Sequence, residues 1–197
     1  MSLHKELVAA FRRAEPPEVE YPTPAVHSDE GCFWKKIDFS LVLNSSGEVI
    51  DVERPPWRMS GKRCRSSLLV PYRPFLGAGG LSGFLWGQSL HALGVGRSKR
   101  DGEFTTNLQA FNRFRAFHRA VLSEAKSPSI QAFVLFLQRW EPEALDKLGR
   151  ASEAAGGAVV FRFQYENGFL HESHAARLIW ARLLNPTGSA AKTPDAR

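Results

Sequence analysis

A chain of 197 residues, 43% hydrophobic and 23% charged, is long enough for one well-filled domain and has the composition of an ordinary soluble one. No apolar run approaches the roughly 18 residues of a membrane span, and the start Met1-Ser2-Leu3-His4-Lys5-Glu6 lacks the basic, apolar and small-residue order of a secretory signal. Two cysteines, Cys32 and Cys64, make neither a disulfide framework nor a Cys-x-x-Cys metal site, and no bridge between them is expected in what reads as a cytoplasmic protein with a formal charge of +6.

Leu3, Leu7, Val8 and Phe11 recur at helical spacing, so residues 2–14 read as a short amphipathic helix that Pro16-Pro17 stops. Residues 15–31, with four prolines and five acids, read as an extended linker. The alternation in Ile37 to Leu43 predicts a strand, Asn44 to Gly47 a turn, and Glu48 to Val52 the returning strand of a hairpin. Ser67 to Val70 is a further candidate strand, and the loop 74–83 is expected to lead into a short helix from Phe84 to Leu93 that ends at Gly94. The second half reads as helical. Leu108, Phe111, Phe114, Phe117, Val121 and Leu122 share one face, and a second helix follows a Ser127-Pro128 start. Ala158 to Phe163 predicts a strand, with Phe169 to His171 available to pair back after the turn at Glu166 to Gly168. Ser173 is placed to cap a helix running to about Leu184, and residues 187–197 are expected to be a disordered tail. These elements predict an α+β fold, a small antiparallel sheet near the N-terminus packed with several α-helices.

Charge is distributed unevenly. Between Arg54 and Arg73 stand six basic residues, Arg54, Arg58, Lys62, Arg63, Arg65 and Arg73, and no acid. A surface that needs only solvation mixes its signs; twenty positions without an acid suit a polyanion, and arginine's planar fork can hold phosphate with two hydrogen bonds at once. Directly behind comes a glycine-bearing loop, Gly77, Ala78, Gly79, Gly80, Leu81 and Ser82, whose backbone can approach a ligand closely. Phe84 and Trp86 beyond it read as core more readily than as stacking platforms. His118, central in an apolar arc, reads as a hydrogen-bonded core histidine, and the spacing of His171 and His174 is wrong for a zinc protease helix. Asp51 and Glu53 alternate on a strand without the third acid or lysine of a magnesium nuclease. No catalytic residue, cofactor or metal is expected.

The order of motifs resembles one known family. Phe39-Ser40-Leu41-Val42-Leu43-Asn44 with Gly47, Gly61-Lys62-Arg63, Val70-Pro71, Phe84-Leu85-Trp86-Gly87-Gln88 and Leu93-Gly94 follow one another as in the large subunit of the type I-C CRISPR surveillance complex, Cascade. Phe114 to His118, Phe136-Leu137-Gln138, Val159 to Arg162, and Phe169-Leu170-His171-Glu172 with Arg177 and Trp180 continue the likeness over about residues 3–185. The chain departs from the family's pattern at Ala78, at Leu81-Ser82-Gly83 and at Gly87, and family members run on into a middle region and a helical bundle. The resemblance therefore implies an N-terminal domain over 1–186. Its role would be non-catalytic: reading the protospacer-adjacent motif in duplex DNA, aiding DNA opening and supporting recruitment of the helicase–nuclease in antiviral defence. Its partners would be double-stranded target DNA, the crRNA-containing backbone and crRNA-end-binding subunits, and the helicase–nuclease, with no membrane. DNA-binding residues on this reading are the loop 77–82, with Leu81 as a wedge, the six basic residues above, and Gln88. The alternative is a basic interaction module that binds RNA or an acidic protein.

Overall fold

A computed structural model describes residues 31–55, 58–60, 63–65, 67–71, 82–98, 100–145 and 153–184, with backbone alone for 58–60 and 63–65. The fold is α+β, as expected. Strands β1 (Cys32–Lys36), β2 (Phe39–Leu43) and β3 (Val49–Glu53) are followed by the short β4 (Arg58–Ser60) and β5 (Arg63–Arg65), then β6 (Ser67–Pro71). Next come β7 (Ser82–Gly83), β8 (Trp86–Gln88), helix α1 (Ser89–Ala92), β9 (Val95–Arg97) and β10 (Phe104–Thr106). Helices α2 (Leu108–Leu122) and α3 (Pro128–Arg139), strand β11 (Ala158–Phe163) and helix α4 (His174–Leu184) complete the described elements.

The main sheet has five strands in the order β3-β2-β11-β8-β7. Its centre is β11, which runs parallel to β2 and antiparallel to β8. Sequence periodicity predicts a strand here but cannot show that it inserts between β8 and a strand more than a hundred residues away. Because it is central, β11 is buried on both faces, which is why its apolar run is nearly continuous. Val159, Phe161 and Phe163 join the large core under the helices, while Ala158 and Val160 join a smaller core on the opposite face. That smaller core is roofed by a two-stranded ribbon of β1 and β6, which contributes Leu68 and Val70 and packs Phe33 against it. Strand β1 lies in a segment with no clear alternation of its own, and it forms because β6 pairs with it.

On the helical face, Phe133 and Phe136 of α3 set their rings 4.7 and 5.3 Å from Phe161. Burying side chains of this size contributes about 2–3 kcal/mol each, enough to hold the helix to the sheet. The hairpin of β2 and β3 turns where the sequence predicts. Asn44 Oδ1 accepts from the backbone N–H groups of Ser46 (3.0 Å) and Glu48 (2.9 Å), and Gly47 takes φ +79°. Asn107 caps α2 through the Ala110 N–H at 2.9 Å. Ser127 stands at the start of α3 with Pro128 at its first position, although its hydroxyl meets Ser129 Oγ and no backbone N–H. Ser173 caps α4, its Oγ accepting from the Ala176 N–H at 3.2 Å.

The expected helix over 84–93 is corrected. Phe84 and Leu85 form a tight turn, Trp86 to Gln88 pair with β11, and only Ser89–Ala92 is helical before Gly94 at φ +74°. Sheet pairing outweighs local helix propensity at these three residues. Phe169 makes a single bridge to Arg162 and no strand, because the chain then coils into a 3-10 turn over Leu170–Glu172. The expected helix over 2–14, the linker over 15–31 except for Gly31, and the tail at 187–197 lie outside the described residues.

Candidate nucleic-acid interface

Two features gather positive charge. The first is the β4–β5 hairpin inside the basic stretch, where sequence reading places no strand. Its register sets Arg58 opposite Arg65 and Ser60 opposite Arg63. Directly opposed residues share a face, and positions two apart along a strand share it too. Positions 58, 63 and 65 therefore lie on one face of the ribbon.

The second is a cleft of about 630 Å³ at the end of the main sheet, where β2 and β11 begin and β3 finishes. Lys36, Arg54 and Arg97 line it, with Asp38, Glu153 and the ring of Phe39. Arg54, the first cation of the basic stretch, carries its guanidinium 5.9 Å from the Phe39 ring centroid and pairs with Glu153 at 3.2 Å. Both partners are largely exposed, at 63% and 45% of their side-chain surface, so the pair contributes at most about 1 kcal/mol and can open. Lys36 pairs with Asp38 at 3.0 Å, and the other oxygen of Asp38 accepts from the Ala158 N–H at 2.9 Å, which ties the cleft wall to the central strand. Arg97 lies 4.9 Å from the ring centroid of the exposed Phe104. Lys36 and Arg97 were not among the sequence candidates. Each stands apart from Arg54 along the chain, Lys36 behind Lys35 and Arg97 at the head of Arg97-Ser98-Lys99-Arg100, so only the fold brings the three together.

The remaining sequence candidates divide. Ser82 is 2% exposed and pairs with Gly87, which places it in the foot of the glycine loop, while Gln88 is half-buried in β8 opposite Ala158. Lys62, Arg73 and Gly77, Ala78, Gly79, Gly80 and Leu81 lie outside the described residues. Trp86 is fully buried and donates its indole N–H to the Pro71 carbonyl at 2.9 Å, so the residue behind the loop anchors β8 to the end of β6. Gly83 is required there. A Cβ at that position would overlap the Trp86 indole nitrogen and press on the Pro71 carbonyl.

His118 belongs to this anchoring as well. It is fully buried, with Nδ1 2.8 Å from the Phe114 carbonyl and Nε2 accepting from the Leu85 N–H at 2.9 Å. Both contacts are satisfied by the neutral ring protonated on Nδ1. Burial pushes its pKa down to about 3, against the small opposing effect of the Phe114 carbonyl. The residue it grips, Leu85, has φ +62°, the one positive φ outside glycine among the described residues. Such a conformation costs about 1 kcal/mol or more and persists where its surroundings over-determine it. His118 is a structural clamp on the turn behind the loop.

His171 is also buried, stacked on Phe169 with ring centroids 5.9 Å apart. Burial lowers its pKa to about 4, although Glu172 nearby opposes the shift. The Leu69 carbonyl is close enough to favour the charged ring, yet among the described residues neither ring nitrogen has a partner in hydrogen-bonding geometry. Glu53 is engaged by Arg162 at 2.6 Å, and among the described residues no three His, Cys, Asp or Glu gather as a metal site requires. No described helix is long and apolar enough to cross a membrane.

No curated protein matches the chain. The family model described as CRISPR-associated protein (Cas_Csd1) matches residues 14–196, and so spans both the cleft and the arginine ribbon. The chain belongs to the Cas_Csd1 family of CRISPR-associated proteins.

Proposed function

We propose that the protein is a non-catalytic, nucleic-acid-binding part of a crRNA-guided complex, serving as the N-terminal domain of a type I-C-like large subunit. In that role it binds duplex DNA beside the target, reads the protospacer-adjacent motif, aids opening of the duplex and supports recruitment of the helicase–nuclease. Guide pairing reads the target, and the protein contributes backbone and motif contacts, the division of labour known for another RNA-guided effector. The observation that carries the reading is the one-faced ribbon at positions 58, 63 and 65, which follows Arg54 at the cleft within a stretch that holds no acid. Three arginine positions on one face of the ribbon can follow a sugar–phosphate rail, and the loop 77–83 behind them supplies the motif reader. Glycines let it enter a groove, with Leu81 as the wedge between base steps.

The test is duplex binding at several salt concentrations, alone and in the assembled complex. Replacing Arg58, Arg63 and Arg65 together with alanine is expected to weaken all duplex sequences alike, by roughly 100-fold. The slope of log affinity against log salt should drop by about 0.9 for each phosphate contact removed. Exchanging residues 79–81 is expected to change motif preference while leaving the salt slope in place. Unchanged target binding in both variants would overturn the proposal. Stronger competition by RNA than by duplex DNA would favour the interaction-module alternative.

A further inference from the structure

We propose that the cleft between the start of β2 and the loop 153–157 holds one unpaired nucleotide of a single strand, with Arg54 as its stacking platform and Glu153 as a reader of its base. The inference rests on the nucleic-acid reading above but concerns a different contact from the ribbon.

Size excludes a duplex. A recess of about 630 Å³ falls in the range of small-ligand pockets and admits a nucleotide-sized group. The mixed signs of its lining then identify what kind of group enters. Lys36, Arg54 and Arg97 favour a phosphate, whereas two carboxylates in a site for phosphate alone would repel it. Asp38 is spent on the wall, with one oxygen on Lys36 and the other on the Ala158 N–H. Glu153 is not. Its Oε2 meets Arg54, and among the described residues Oε1 accepts no hydrogen bond. An open carboxylate oxygen is an acceptor for the exocyclic amino group of cytosine, adenine or guanine, and thymine and uracil have no such group. Arg54 completes the site. Its guanidinium is backed by the Phe39 ring, and a guanidinium plane held in that way is a surface on which an unstacked base can rest. The exposed Arg54–Glu153 pair keeps both groups at the mouth without locking them.

The experiment measures binding of single-stranded oligonucleotides of about ten residues, all-cytosine against all-thymine, to the full chain near neutral pH. The native protein is expected to bind the cytosine strand about fivefold more tightly, the worth of one hydrogen bond. Glu153→Ala should bring that ratio to one, and Arg54→Ala should weaken both strands by about tenfold. Glu143→Ala, which removes an equal charge at an exposed site away from the cleft, should leave the ratio unchanged. Arg54 and Glu153 are exposed, so a thermal melt matching the native one will confirm that each variant folds. The inference is overturned if the native ratio is one or if it survives Glu153→Ala. If that happens while duplex binding still depends on positions 58, 63 and 65, the cleft inference fails alone. If neither strand nor duplex binds, both fall.

Discussion

The turn behind the glycine loop and the cleft at the sheet's end use the same kinds of residue in opposite ways. In the turn, a histidine, a tryptophan and several phenylalanines are sealed from solvent, and each polar nitrogen of His118 and Trp86 is matched to one backbone group. In the cleft, arginine, lysine and glutamate meet in exposed pairs that can separate. The turn is fixed because an unmatched polar atom in a dry core is costly. The cleft is free to exchange partners because water pays little for either arrangement. Residues that look chemically versatile in the sequence hold the fold here, and the ordinary surface charges are left to meet a ligand.

This contrast can be broken by substitution. Gly83→Ala should be severely damaging, because the new methyl must displace either Trp86 or the end of β6. A loss of about 3 kcal/mol or more in denaturant unfolding is expected. His118→Ala should cost about 3 kcal/mol, since it leaves the Leu85 N–H unmatched and opens a cavity among Phe84, Phe114 and Phe133. A His118→Ala protein that unfolds at the native midpoint would show that the turn needs no clamp.

Acid sharpens the comparison further. His118 and His171 titrate at about 3 and about 4 in the folded chain, against 6.5 for an unperturbed ring. Between these limits the unfolded chain binds more protons, so the stability they represent is fully present above pH 6.5 and is lost as pH falls toward 4. Each buried ring should contribute a slope of about 1.4 kcal/mol per pH unit there. Unfolding measured at several pH values should show the slope, and an uncharged replacement of similar volume such as His171→Leu should reduce it. Arg54→Ala, at the other extreme, is expected to change stability by about 1 kcal/mol or less while still affecting ligand binding.

The legible parts of the fold were those with strong local signals. The Asn44 to Gly47 turn, the α2 and α3 apolar faces and the Ser173 cap can be read from residue type and spacing alone. Residues 84–88 could not, because their state is set by pairing with β11 and by a histidine 33 positions away from Leu85. Nor could the hairpin of β4 and β5, since Arg58-Met59-Ser60 and Arg63-Cys64-Arg65 alternate over only three residues each, too few to betray a strand. For the site, the basic stretch announced Arg54, Arg58, Arg63 and Arg65, but no window of sequence shows that residues as far apart as Lys36, Arg97 and Glu153 share one pocket wall.

The parallel pairing of β2 with β11 bears on how such a chain is made. Asp38 accepts its hydrogen bond from Ala158, 120 positions onward, so the sheet's middle place stays vacant until nearly the whole described chain has left the ribosome. Until then β2 and β8 each present an unsatisfied edge, and a nascent chain halted before residue 158 would carry two open seams rather than a smaller finished domain. Synthesis must therefore outlast a vulnerable interval, and fragments ending short of β11 are expected to clump.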